Sequence, residues 1–234
     1  MKNFSNGEDR MAVDMLDVVR RWVGDSESWL KAFLENIPPS IVSIVVMGSA
    51  VRDRGHRRSD LDLLVLFRGK RPSLRPPLEV DIRMYAIGNA EEQLAAGHEI
   101  LGWAMKFGTA LYDPENAWAS LRTKIGDRVP IPSAIDAAER AEQSLLRARE
   151  MLSIGDDSAA DDLILAGATQ LVRERLINSQ IFPASRPELP AQLRTISPQD
   201  PLAQILEDAM YAEVAPSDLL RRLDSLRNVE LASS

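Results

Sequence analysis

Apolar residues in this chain fall into two spacings, and the change between them divides it. From residue 8 to 23, Ala12, Met15, Leu16, Val19, Trp22 and Val23 recur every three or four positions, which predicts a helix with Gly24 as its stop. A second helix carries Trp29, Leu30, Phe33, Leu34 and Ile37 on one stripe and ends at Pro38-Pro39, since proline cannot continue a helix. The pattern then tightens. Ile41 to Met47 is a short apolar run rich in β-branched residues and predicts a buried strand. Leu61 to Phe67 predicts a second strand and Leu78 to Tyr85 a third, with the basic, proline-bearing stretch from Arg68 to Pro77 as a loop or hairpin between them. Glu91 to Phe107 returns to helical spacing, although Gly97 and Gly102 oppose it. Thr109 to Tyr112 adds a short strand.

Gly126 to Pro132, with its prolines and charges, is the expected boundary, and every segment beyond it reads as helix. Ser133 and Asp136 form a capping pair for a helix with Ala138, Ala141, Leu145, Ala148 and Leu152 on its stripe, closed by Gly155. Asp157 or Ser158 caps the next, which turns Ile164, Ala168, Leu171 and Val172 inward. A third helix carries Leu202, Ile205, Leu206 and Met210. A fourth, capped by Ser217, carries Leu219, Leu220, Leu223 and Leu226. Four amphipathic helices predict an antiparallel bundle, with a long proline-rich link between the second and third.

Composition narrows the class. The chain has 234 residues, 45% of them hydrophobic, enough for a sizeable core. It has no cysteine, so disulfides and thiolate metal sites are excluded, and a cytoplasmic setting is expected. The polar stretch Met1 to Arg10 lacks the apolar core of a signal peptide, and no apolar run is long enough to span a bilayer, so no membrane partner is expected. The net charge of −7 is uneven. Residues 1–133 hold 18 Lys+Arg and 18 Asp+Glu, whereas residues 134–234 hold 10 and 17. An acidic chain is a poor partner for a polyanion, so nucleic acid is not expected as a partner. Arg52, Arg54, Arg57, Arg58, Arg68, Lys70, Arg71 and Arg75 nonetheless cluster in one stretch.

That stretch contains the candidate chemistry. Gly48-Ser49 follows the first strand, Asp60-Leu61-Asp62 opens the second, and Asp81 lies on the third. Two acids separated by one residue on a strand point to the same face. Carboxylates set side by side resist ionising together, so a positive group belongs between them, and a hard divalent cation suits oxygen donors. A Gly-Ser turn after a strand offers backbone N–H groups to an anion. Metal plus anion cradle reads as chemistry on a nucleoside triphosphate.

These residues resemble the nucleotidyltransferase superfamily, the group that shares its palm-like fold with DNA polymerase beta. The resemblance covers roughly residues 40–113 and rests on Gly48-Ser49, Asp60-Leu61-Asp62 and Asp81, with Arg52, Ser59 and the tail Leu111-Tyr112-Asp113 in support. One departure is Asp53, where many relatives carry glycine. The resemblance implies an α+β fold, a small mixed-sheet nucleotidyltransferase domain with N-terminal helices over residues 1–130 and an antiparallel helical bundle over 131–234. It implies Asp60, Asp62 and Asp81 as catalytic residues holding two Mg²⁺ ions, and Gly48, Ser49, Arg52 and Ser59 as nucleotide-binding residues. The bundle resembles those of aminoglycoside nucleotidyltransferases and of paired nucleotidyltransferase/HEPN modules. The histidine of the usual HEPN ribonuclease motif is missing, since none follows His98.

The expected reaction moves a nucleoside monophosphate, with AMP foremost, from ATP or another NTP to a hydroxyl of a small molecule. The alternatives are an antitoxin-type enzyme that adenylylates a protein, and a non-catalytic NTP-binding regulator. The other candidates have plainer expectations. His56 and His98 form no zinc cluster, and His98 is expected on a helix surface. Trp22 and Trp29 are expected in helix packing, Trp103 and Trp118 in core or interface. Asp156, Asp157, Asp161 and Asp162 are expected as caps and a solvated face, or as an attractor of a cationic acceptor.

Overall fold

The computed structural model describes residues 26–48, 61–126 and 128–233, and the chain divides into two compact units, Met1–Pro130 and Ile131–Ser234. The helix expected over residues 8–23 lies outside the described residues.

The first unit is built on a four-stranded mixed sheet. Helix α1 (Ser26–Glu35) precedes strand β1 (Ile41–Met47). Strands β2 (Leu61–Phe67) and β3 (Val80–Ala86) follow. Helices α2 (Ile87–Ala95) and α3 (Glu99–Phe107), strand β4 (Thr109–Tyr112) and helix α4 (Ala117–Ile125) come next among the described residues. The sheet order is β3-β2-β1-β4, with β1 antiparallel to both its neighbours and β2 parallel to β3.

Period-two alternation sorts the strand residues into two cores. Ile44, Val46, Leu61, Leu63, Val65 and Val80 pack against Leu30 and Phe33 of α1. Val45, Met47, Leu64 and Leu66 face the other way, onto Leu94, Leu101, Met105, Trp118 and Leu121 of α2, α3 and α4. A register irregularity between Ile41 and Ser43 inserts one extra residue in β1, so that Val42 shares a core with Val45 rather than with Ile44. Trp29 stacks on Phe33 and donates its indole N–H to the Arg75 carbonyl at 3.1 Å, which ties the basic loop to α1.

Four expectations need correction here. The single helix over 91–107 is two helices. Gly97, at φ +81°, closes α2 with a Schellman pair in which the His98 N–H donates to the Gln93 carbonyl and the Gly97 N–H to that of Leu94. Strand β3 starts at Val80 rather than Leu78, because Pro76-Pro77 and a turn from Pro77 to Val80 delay it, leaving Leu78 98% exposed. Helix α4 was not expected. Asp113 nucleates it by accepting from the Trp118 and Ala119 N–H groups, each at 3.0 Å. His98 is not on a helix surface: it stands at the entry of α3 with its ring edge-on to Tyr85.

The second unit is helical. Helices α5 (Ala134–Ser153) and α6 (Asp157–Asn178) form a hairpin, with Gly155 at φ +79° in the turn. Gly167 lets the two pack closely, since a Cβ there would lie 2.7 Å from Leu145. The cap of α6 is Asp156, accepting from the Ala159 N–H at 3.0 Å, rather than Asp157 or Ser158. The proline-rich link is not bare: a short 3-10 turn, Arg186–Glu188, leads into α7 (Leu189–Ile196), whose Leu189 and Leu193 are fully buried. Helices α8 (Pro201–Tyr211) and α9 (Pro216–Ser233) follow, so the described residues of the bundle form five helices where four were expected, and Ser217 falls inside the last rather than before it. One core spans Leu145, Ile164, Val172, Leu176, Leu193, Leu206 and Leu223. Ion pairs join the helices, among them Arg222 to Asp208 at 2.7 Å, Arg194 to Glu207, and Arg175 to the buried carboxylate of Asp200 at 2.8 Å.

Candidate active site

The site is assembled at one end of the sheet, where β1 finishes and β2 and β3 begin. The β2–β3 register pairs Asp62 directly with Asp81. Neighbouring strands lie about 4.8 Å apart, so two acids stand side by side on the face that carries α2, α3 and α4. Met47 pairs with Asp62 on the other flank, which brings Gly48 onto the carboxylate. Gly48 has φ +78°, and a Cβ built there would overlap Oδ2 of Asp62 and lie 3.0 Å from its carboxyl carbon. Glycine is therefore required twice over, by backbone conformation and by space.

Residues alternate along β3, so Asp81, Arg83 and Tyr85 form one row. The Arg83 guanidinium lies 2.5 Å from Oδ2 of Asp81, with the two side chains 51% and 39% exposed. Tyr85 is half-buried. Burial holds its hydroxyl above the usual phenol range, Arg83 opposes this, and Asp81 adds to it. The His98 ring meets Tyr85 edge-on at 5.2 Å, and its Nδ1 is buried without a hydrogen-bond partner among the described residues. The Tyr85–His98 contact was missed in the sequence. Its signals were Tyr85's place in the Asp81 row and the helix break at Gly97.

The structure thus brings together Asp62, Asp81 and Gly48 of the expected site. Ser49, Arg52, Ser59 and Asp60 lie outside the described residues, as does any helix opened by the Gly48-Ser49 turn. Among the described residues no group of three acids or histidines is placed to hold a metal. The described pair still fits a divalent cation: two adjacent carboxylates supply hard oxygen donors, and a Cβ at Gly48 would fill the space against one of them. Trp118 belongs to the core between the sheet and α2–α4, and Trp103 packs against it. Asp156, Asp157 and Asp162 are exposed on the second unit, and Asp161 is half-buried. No helix among the described residues is long and apolar enough to cross a membrane.

Comparison with known proteins agrees with this geometry. Residues 27–107 match the family model of the nucleotidyltransferase domain. The matched segment is similar to a nucleotidyltransferase domain, and it covers the sheet strands β1, β2 and β3 that lead into Gly48 and bear Asp62 and Asp81. No curated protein matches the chain. Among solved structures, a nucleotidyltransferase-like protein from Exiguobacterium sibiricum 255-15 is similar at 14% identity and a TM-score of 0.40, over 85% of this chain and 71% of that one. A toxin-antitoxin structure with AMP-PNP is similar at 18% identity and a TM-score of 0.29, over 42% of this chain and 82% of the other.

Proposed function

We propose that this protein is a Mg²⁺-dependent nucleotidyltransferase that moves a nucleoside monophosphate, AMP foremost, from an NTP to a hydroxyl of a small-molecule acceptor. The observation that carries the reading is the direct pairing of Asp62 with Asp81 beneath Gly48, inside a nucleotidyltransferase domain. Asp62 and Asp81, with Asp60, would hold two Mg²⁺ ions, which when bound supply charge stabilisation to the attacking and leaving oxygens at the α-phosphate. Gly48 lets the backbone approach the triphosphate, and Ser49, with Ser59 and Arg52, adds donors to it. In this reading Asp81 is also the candidate to accept the proton of the acceptor hydroxyl.

The acceptor reading rests on charge. Residues 1–133 balance at 18 of each sign, while residues 134–234 hold 17 acids against 10 bases. A small, neutral or cationic acceptor suits an acidic second unit better than a polyanion does. The test incubates the pure protein with Mg²⁺ and α-labelled NTPs, once with an aminoglycoside panel and once with cell lysate. Label on a small molecule supports the reading. Label on a lysate protein replaces it with protein adenylylation. Absence of pyrophosphate release with every NTP leaves only a non-catalytic NTP-binding role.

A further inference from the structure

The Arg83–Asp81 contact joins the proposed metal site to a cation that the chain itself supplies. Asp62 and Asp81 are register partners, so their like charges oppose each other. Arg83 lies two residues along β3 on the same face and places its guanidinium 2.5 Å from Oδ2 of Asp81. An oxygen engaged in that pair is not available to a metal ion. A divalent ion on Asp81 would also sit within a few ångströms of the guanidinium and repel it.

We infer that Arg83 is a placeholder cation: it neutralises Asp81 until metal and nucleotide arrive together, and metal binding displaces it. The inference rests on the reading of Asp62 and Asp81 as metal ligands. The pair suits this use because it is half exposed. An exposed ion pair contributes little and parts readily, whereas a buried one would lock. Arg83 is also on the edge strand among the described strands, and its side chain is half exposed. The triphosphate that accompanies the metal supplies a new anionic partner, and a guanidinium binds phosphate oxygens well. Metal alone then binds weakly, and nucleotide strengthens it beyond simple chelation. Arg83 acts here as a positioning residue, through Asp81.

The test is Mn²⁺ binding to the full chain, followed by electron paramagnetic resonance without nucleotide. Arg83→Met should tighten Mn²⁺ by about tenfold, given the size of one charge–charge repulsion near a protein surface. Arg83→Lys, which keeps the charge, should remain near the parent. In an Asp81→Asn background the Arg83→Met change should have no effect. A non-hydrolysable NTP analogue should tighten Mn²⁺ more in the parent than in Arg83→Met. Mn²⁺ binding that Asp81→Asn weakens but Arg83→Met leaves unchanged, or also weakens, would overturn the placeholder role and leave the metal site standing. Mn²⁺ binding that Asp81→Asn does not touch would overturn the metal site at Asp81, and this inference with it.

Discussion

Three of the described residues, Gly48, Asp62 and Asp81, are the ones proposed to carry the site's chemistry. Gly48 at φ +78° stands against the Asp62 carboxylate. Gly48→Val should block nucleotide binding while leaving β1 and β2 paired, and an unchanged ATP affinity in that variant would count against the anion-cradle role. Asp62→Asn removes a charge from the metal site without changing side-chain size, so Mg²⁺-dependent turnover should fall by at least about a hundredfold with the thermal melt unchanged. The spacing of Asp60-Leu61-Asp62 made those two acids readable as one face of a strand, and the family resemblance joined Asp81 to them. What the sequence did not disclose was the parallel register that sets Asp62 beside Asp81. Register depends on how strands far apart in the chain pair, and no local pattern encodes it.

Strands and long helices announced themselves because their period was clean. Strand β1 runs Ile41–Met47 and β2 runs Leu61–Phe67, as the apolar runs indicated. Errors collected where caps and prolines compete with period. Helix α4 begins through side-chain acceptance by Asp113, a tertiary detail, and its buried residues are Trp118 and Leu121. Helix α7 is short and hidden among prolines, and its Leu189 and Leu193 become informative only when the core of the bundle is known. Two predictions belong to these elements. Leu145→Ala deletes a fully buried side chain where α5 meets Gly167, and should destabilise the second unit by about 2–5 kcal/mol in denaturant unfolding. Acid should loosen the same unit. The Glu207 carboxyl is held below its usual range by the hydrogen bond from Arg194, and that of Asp208 by hydrogen bonds from Gln204 and Arg222. A depressed carboxylate stabilises the fold above its unfolded pKa, and that contribution is lost as pH falls through the folded value. Melting temperature should therefore drop on acidification below the ordinary carboxylate range, and Glu207→Gln should flatten the drop. A pH profile identical in the variant would contradict this.

At the scale of the whole molecule, a charge-balanced first part and an acidic second part make a testable statement about the acceptor. Neutralising Asp157, Asp161 and Asp162 to Asn should weaken a cationic acceptor and reduce the salt dependence of its KM, while leaving NTP affinity alone. Asp156 is better left intact, because it caps α6. An unchanged KM and salt dependence would remove the steering idea. The measurement that bears most directly on the central claim is pyrophosphate release from NTP in the presence of Mg²⁺ and the aminoglycoside acceptor panel, in the parent chain and in Asp62→Asn and Asp81→Asn. The account predicts release that requires Mg²⁺ and disappears in both variants, each with the parent's circular dichroism spectrum. Release at the parent rate from either folded variant would contradict it.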